Sequence, residues 1–432
     1  MALYAFDGTW NKPDFQPNDG DDNTNVFRFA RMYAQAYGED PDDFLKHAYT
    51  DGVGTRMGKI GKIVGGFTGA GGKSRVDEML RHCATNFDEG DKTVDIVGYS
   101  RGAALAIHFA NEIGDGVRVD GKRYEADEIR FLGLWDTVPA FGLPGVLLDP
   151  FKDVDLGWDL DLPRKAKRVA HAMARHERRQ AFDVHRLDPK HRNPNVTELW
   201  FRGVHSDIGG GNGTTDLSAI ALRWMMEQAR ATGIPFSDEQ IASVAALENP
   251  SAAPHKNSET LDQIDRSFWP GDELHPTLAK HLAVGESKTV SVDSKCVFDF
   301  SGIVVDEGAE YTIIPVQGDQ WKDDSIPCDA TGWPADISRG KSIFARIKEN
   351  ILESRMVGFL RRVREARWFE LCACTDVDEC TAFPVGHGQY ATHPWTAPST
   401  SPLCFFANDA LHPLNKYHNN NGSIRVVVNR IR

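Results

Sequence analysis

Ser100 carries the strongest chemical signal in the chain. It lies in Val94-Asp95-Ile96-Val97-Gly98-Tyr99-Ser100-Arg101-Gly102-Ala103-Ala104, where a β-branched apolar run ends in Gly-x-Ser-x-Gly and passes into small, helix-compatible residues. The pattern predicts a strand, a sharp turn and a helix, with the serine hydroxyl at the apex. Glycines two before and two after the serine suit such a strained turn, because a side chain there would strike the neighbouring strand or helix. The backbone N–H of Arg101 then opens the helix as an oxyanion donor. A serine hydroxyl is inert without a base, so a histidine has to reach it and a carboxylate has to hold that histidine.

His108, His171, His176, His185, His191 and His205 all follow Ser100. His108 is about two helical turns past the serine and points away from it. His171, His176 and His185 read as part of a helical stretch. His205 directly follows an expected strand and sits in Gly203-Val204-His205-Ser206-Asp207-Ile208-Gly209-Gly210-Gly211, where small residues permit close approach, so it is the expected base. Asp136 ends the strand expected after the elbow helix and is the expected acid. Asp207 is the alternative acid, although its place two residues from His205 suits it to bracing its own loop. The loop Asp7-Gly8-Thr9-Trp10-Asn11 is expected to supply a second oxyanion donor from Gly8 or Thr9, with Asp7 bonding local amides. Asp7 as a nucleophile or metal ligand is the alternative.

These residues need a frame. Strands are expected at Leu3–Phe6, His47–Thr50, Ile129–Trp135 and Glu198–Phe201, and helices at Asn25–Ala36, Lys73–Phe87 and Ala103–Ile113. Such alternation predicts a mostly parallel sheet with helices on both faces, and ligands gather at the carboxyl ends of such strands. The glycine-rich stretch 58–72 lacks the strand–Gly-x-Gly-x-x-Gly–helix context of a phosphate loop. Phe141 to Pro163 reads either as a lid or acyl-binding wall over the site or as a packed surface loop. From about Ser287 short alternating runs separated by turn residues predict a β-sandwich, interrupted by a helix near Ile343 to Arg367. The expected domains are 1–285 and 286–432.

A length of 432 residues, 41% hydrophobic content, ten Trp and 23 Phe suffice for real cores. A formal net charge of −13 argues against nucleic acid as a partner and against electrostatic adsorption to anionic membranes. No secretory signal and no apolar run of about 18 residues stands out. The seven cysteines lack the paired spacing of zinc sites and read as reduced thiols. A disulfide among Cys372, Cys374, Cys380 and Cys404 is the alternative for an exported protein.

Six segments occur in a familiar order: Phe6-Asp7-Gly8-Thr9-Trp10-Asn11, Asn23-Thr24-Asn25-Val26, Gly52-Val53-Gly54-Thr55, Gly98 to Ala103, Leu134-Trp135-Asp136-Thr137-Val138, and Gly203 to Gly211. Together they resemble the catalytic domain of type VI secretion phospholipase effectors and their uncharacterised α/β-hydrolase relatives, over about residues 2 to 285. The resemblance implies an α/β-hydrolase-like fold, a Ser100–Asp136–His205 triad and A-type acyl ester cleavage without a cofactor. It implies glycerophospholipids as the substrate class, with secretion machinery or an immunity protein as partners. Export would be independent of a signal peptide, and cytoplasmic residence is the alternative. The other functional readings are a carboxylesterase acting on acylated glycans or other esters, and a non-catalytic glycan- or lipid-binding protein.

The C-terminal part has its own resemblance. Phe406-Ala407-Asn408-Asp409-Ala410, Tyr417 to Ser423, Asp306-Glu307-Gly308 and Phe383-Pro384-Val385-Gly386 are similar to segments of calcium-dependent galactose-binding bacterial lectins. That resemblance implies a lectin-like sandwich, a glycan as partner and Ca²⁺ on Asp409, Asn419 and Asn420, aided by carbonyls near Val305 and Leu414; hard oxygen donors suit calcium. The chain departs from those lectins in having extra residues between Asp409 and Tyr417 and Val305 where an aromatic is expected.

Overall fold

The structure, a computed structural model, describes residues 2–8, 23–52, 69–139, 158–179, 182–255, 266, 272–334, 361–375, 379–410, 417 and 420–432. The chain divides into two units, Met1–Arg266 with Asp272–Thr277, and Ser267–Gly271 with Leu278–Arg432.

In the first unit the apolar runs form one sheet. Its strands are β1 (Ala2–Phe6), β2 (Tyr49–Thr50), β3 (Val94–Tyr99), β6 (Phe131–Trp135), β7 (Val169–Ala174), β8 (Val196–Phe201) and β9 (Glu273–Leu274); β4 (Val117–Val119) and β5 (Lys122–Tyr124) make a separate hairpin. The order is β2-β1-β3-β6-β7-β8-β9, and every neighbouring pair is parallel. Phe6 pairs with Gly98, Tyr99 with Trp135, Trp135 with Ala172, and Ala174 with Phe201. The carboxyl ends of β1, β3, β6, β7 and β8 therefore open on one edge.

The helices are α1 (Asn25–Ala36), α2 (Pro41–Ala48), α3 (Gly69–Asp88), α4 (Arg101–Asp115), α5 (His205–Gly209), α6 (Asp216–Arg230) and α7 (Asp238–Ala245). Period-2 alternation along the strands sorts them to two faces. Tyr4, Phe6, Ile96, Leu132 and Leu134 pack with α3 and α4. Leu3, Ala5, Val97, Tyr99, Trp135, Ala170 and Ala172 pack with α1, α2, α6 and α7. Both faces are thus covered, which is why the central strands are apolar throughout rather than alternating with polar residues. Asp95 is the polar exception on β3. It is fully buried, and it accepts from Tyr33 Oη at 2.7 Å and from the Arg130 guanidinium.

Several expectations change. The first half of the segment expected as a strand over His47–Thr50 is helix: Asp40 caps Asp42 N and Asp43 N at 3.0 and 2.9 Å, Pro41 starts α2, and Tyr49–Thr50 remain extended. His171 lies on strand β7, not on a helix. Val169–Ala174 is a short apolar run buried on both faces, and periodicity cannot separate such a run from a buried helix.

In the second unit one sheet runs β10 (Lys280–His281), β12 (Asp299–Val305), β19 (Ser401–Ala407), β16 (Leu371–Thr375), β17 (Phe383–Pro384). The other runs β15 (Ile326–Cys328), β14 (Trp321–Asp323), β20 (Asn420–Arg430), β13 (Glu310–Pro315), β18 (Trp395–Thr396), with β11 (Ser287–Asp293) also on β20. Pairing is antiparallel except between β10 and β12. Alternate residues of both sheets, among them Ile303, Phe405, Ile313 and Val426, close on one apolar core.

Of the helix expected near 343–367, residues 343–360 lie outside the described residues. Residues 361–367 are not helical. The Asn408 side chain instead holds Val363 N, Val363 O and Arg367 O at 3.0, 2.9 and 3.0 Å, offering these groups partners that compete with a helical ladder. All seven cysteines are reduced thiols, although Cys374 and Cys404 are cross-strand partners in β16 and β19.

Candidate active site

Ser100 forms the N-cap of α4 with φ 58° and ψ −126°, a strained conformation for a residue with a Cβ. Its backbone is tied on both sides to the segment around β6: Ser100 N–H donates to Trp135 O at 2.9 Å, and Val138 N–H donates to Ser100 O at 3.1 Å. The flanking glycines are required by close approach. A methyl group on Gly98 would lie 2.6 Å from Ala103 Cα, and one on Gly102 would lie 2.3 Å from Phe6 O. The elbow is therefore wedged between its own helix and the end of β1.

His205 is the first residue of α5, just past β8. Its Nε2 lies 2.8 Å from Ser100 Oγ, and its Nδ1 lies 2.5 Å from Asp136 Oδ2. Asp136 follows β6 with φ 45°, and its N–H donates to Ala172 O at 2.8 Å. A carboxylate on Nδ1 fixes the tautomer: Nδ1–H donates to Asp136, leaving the Nε2 lone pair to accept from Ser100 Oγ–H. All three groups are buried. The structure thus brings Ser100, His205 and Asp136 together from the ends of three strands.

Asp136 also takes Ala174 N–H at 2.8 Å and a forked pair of bonds from Arg266, at 2.5 Å to Oδ1 and 3.0 Å to Oδ2. Burial alone would raise the Asp136 pKa; the Arg266 cation and His205 outweigh it and hold the carboxyl well below its usual range. Burial pushes the His205 imidazole below its ordinary value, against the opposing pull of Asp136 and Glu177. Two rings pack against the imidazole, Tyr99 tilted at 4.7 Å and Phe182 edge-on at 4.9 Å between ring centroids. Glu177 accepts from His205 N–H at 3.1 Å and pairs with Arg179, whose guanidinium stacks 3.6 Å over Phe182.

The other expected residues fall as follows. Asp207 does not touch His205. Its carboxylate accepts from Val204 N–H at 2.9 Å and His255 N–H at 3.0 Å and lies 2.6 Å from His255 Nδ1, so it braces the turn that presents His205. Asp207→Asn is expected to cost about 1–3 kcal/mol of stability while lowering kcat/KM less than about tenfold. A loss on the order of 10⁴-fold in a steady-state ester assay would instead mark Asp207 as the acid. Asp7 accepts from Thr24 Oγ–H at 2.6 Å and from Tyr49 Oη–H, tying the loop after β1 in place. Gly8 N–H, expected as an oxyanion donor, is spent on Asp7 Oδ1 at 2.6 Å, and Thr9 lies outside the described residues. Arg101 opens the first turn of α4, where its N–H faces the start of the helix.

The remaining histidines serve the frame. His171 Nδ1 pairs with Glu198 at 3.0 Å while its Nε2 accepts from Thr137 N–H at 3.2 Å. His176 accepts from Gly203 N–H at 3.0 Å, and His185 Nε2 meets Leu160 O at 2.9 Å. His108 accepts from Asp159 N–H at 3.0 Å, and His191 Nε2 meets Asp272 at 3.1 Å. Of Phe141 to Pro163, residues 141–157 lie outside the described residues; Trp158 packs edge-on against His108 at 4.9 Å.

Sequence reasoning missed Glu177 and Arg266. Both belong to polar segments that read as surface, and only placing His171 on a strand would have put Glu177 at the carboxyl edge of the sheet.

A sheet of parallel strands covered on both faces, with a strained serine, a histidine and a buried carboxylate at its carboxyl edge, has the geometry of a serine hydrolase of the α/β class. The family model described as type VI secretion system (T6SS), phospholipase effector Tle1-like, catalytic domain, matches residues 3–117 and 116–228, just over half of the chain, and the chain belongs to this family. Two solved structures are similar to it. One, an uncharacterized protein from Pseudomonas aeruginosa, is 20% identical with a TM-score of 0.24, covering 53% of this chain and 41% of its own. The chain thus spans about two fifths of the length of that protein. The other, the Tle1 effector bound to the VgrG spike from the type 6 secretion system, is 16% identical with a TM-score of 0.29, covering 100% of this chain and 70% of its own. None of the curated proteins matches. Among the described residues no helix is long and apolar enough to cross a membrane.

Proposed function

We propose that the protein is a phospholipase of the A type that cleaves acyl esters through Ser100, His205 and Asp136. The observation that carries this reading is the relay from Ser100 Oγ to His205 Nε2 at 2.8 Å and from His205 Nδ1 to Asp136 at 2.5 Å, in a chain of a phospholipase effector family. As the Ser100 oxygen attacks the ester carbon, its proton passes to His205 Nε2. The charge developing on the carbonyl oxygen is met by Arg101 N–H. His205 then gives the proton to the departing lysophospholipid oxygen, leaving an acyl-Ser100. Water attacks that ester, again through His205, and releases the fatty acid. Asp136 stays ionised throughout, since Arg266 and His205 stabilise its anion.

His205 works as the neutral base, and burial lowers its pKa. Activity is therefore expected to persist below pH 6.5 before it falls on the acid side, which a kcat/KM–pH profile reads directly. The test of the function is incubation of the full chain with phosphatidylethanolamine and phosphatidylglycerol vesicles, with mass analysis of products and peptide mapping after fluorophosphonate treatment. Fatty acid, lysophospholipid and label on Ser100 are expected. Absence of both release and label would overturn the reading, and faster release from acylated glycans would make the chain a carboxylesterase.

The second unit is proposed as a lectin-like binding module. Asp409, Asn419 and Asn420 are the residues that would hold a calcium ion; Asn419 lies outside the described residues. Support comes from Asn420, a buried residue whose Oδ1 finds no hydrogen-bond partner while its Nδ2 donates to Ser294 O at 2.9 Å. A bound ion would pin the start of β20. Delivery by a secretion spike, independent of a signal peptide, is the partner proposal that the family suggests.

A further inference from the structure

In a relay of serine, histidine and aspartate, the aspartate has to hold the histidine. Here Asp136 has four donors: His205 Nδ1–H, Ala174 N–H and both outer nitrogens of Arg266. Arg266 is itself buried, with a side chain only 4% exposed, and its two outer nitrogens also donate to Ala174 O at 2.7 Å and to Phe182 O. The guanidinium therefore joins the carboxylate to the last residue of β7 and to the residue whose ring packs on His205. A full cation bonded to the acid goes beyond what orientation needs. Its charge stands against that of Asp136 in a site shielded from water, where such interactions are strong.

The charged groups around the imidazole can be named. Asp136 arrives from the end of β6, Glu177 and Arg179 from the segment after β7, and Arg266 bonds the carboxylate; the Tyr99 and Phe182 rings pack against the imidazole. Asp136 and Glu177 favour the imidazolium, and Arg266 disfavours it.

We infer that Arg266 is a positioning residue of this centre: its fork fixes the Asp136 carboxylate against His205 Nδ1, and its charge offsets that of Asp136 in the buried site. This inference rests on the hydrolase reading of Ser100. Fork and charge are separable, because lysine keeps the charge but cannot make the bidentate bond, and glutamine keeps polar bulk but not the charge.

The experiment is the pH dependence of kcat/KM for a short-chain nitrophenyl ester, and of the rate of fluorophosphonate labelling, in the full chain and in Arg266→Gln and Arg266→Lys. Removing the cation leaves a buried site with an uncompensated negative charge, which binds a proton more readily. Arg266→Gln is therefore expected to move the acid midpoint up by about one pH unit. Arg266→Lys is expected to keep the midpoint within about 0.3 unit of the parent while lowering the plateau on the order of tenfold. An unchanged midpoint in folded Arg266→Gln would overturn the charge role. A parental plateau in Arg266→Lys would overturn the fork, and if the glutamine variant does not fold, Arg266→Met takes its place as the variant without the charge and is read against the same midpoint. Loss of thermal stability in both variants with unchanged profiles would reduce Arg266 to a structural prop. If the parent itself shows no label on Ser100, the hydrolase reading fails rather than this one.

Discussion

Ser100→Ala is expected to lower kcat/KM for ester hydrolysis on the order of 10⁵- to 10⁶-fold, the scale on which removing the nucleophile of such a relay acts. The removed atom is the one 2.8 Å from His205 Nε2, and nothing else among the described residues stands at that position to attack in its place. Folding should survive. Alanine keeps the Cβ that the backbone already accommodates at φ 58°, and the bonds from Ser100 N–H to Trp135 O and from Val138 N–H to Ser100 O involve main chain only. The measurement is a steady-state assay on phospholipid vesicles together with a thermal melt. A variant that melts like the parent and retains more than a hundredth of its activity would mean that Ser100 is not the nucleophile.

Gly102→Ala should act through the fold instead. The added methyl group would meet Phe6 O at 2.3 Å and Asp7 O at 2.4 Å, and both are main-chain atoms that cannot swing aside. Either α4 lifts from the sheet or the end of β1 is pushed back. Each route disturbs Asp7, whose carboxylate ties Thr24 and Tyr49. A cost of about 3 kcal/mol or more is expected, hence a fall in Tm of roughly 6–12 °C. Activity should fall too, because Ser100 and the Arg101 N–H sit on the same turn. Gly114, in the same helix, is the control. The nearest atom to an added methyl group there is 3.9 Å away, so Gly114→Ala should be neutral or gain up to about 1 kcal/mol from helix propensity. Equal melting of the two variants would refute the close-packing account of the elbow.

The elbow was legible in the chain because everything that makes it is local. Five consecutive residues set the turn, and its two glycines answer to contacts with the adjacent helix and strand. Helix α1 was legible for the same kind of reason: Thr24 caps it through Phe27 N–H at 3.3 Å, and its apolar face recurs with helical spacing through Val26, Phe29, Ala30 and Tyr33. Strand β7 was not, because six buried residues show no period, and misreading it turned His171, His176 and the segment holding Glu177 into a helix surface.

Chain order and places after strands make His205 and Asp136 the candidates, without any knowledge of distance. The parallel register that levels the ends of β3, β6 and β8 is what makes them neighbours across 69 and 105 residues of separation. Asp207 shows the converse. It is nearest His205 in sequence, yet its carboxylate turns to Val204 N–H at the start of α5 and to His255, which lies 48 residues on in the chain.

Composition, spacing and turn chemistry thus specify the serine at the elbow, its strained turn and the alternation that builds the sheet, since each depends on residues a few positions apart. The partners of the carboxylate depend on long-range placement instead. Arg266 lies 130 residues from Asp136 in a segment with no pattern of its own, and it meets that carboxylate only because folding buries both charges in the same small volume, where an unpaired charge would be costly.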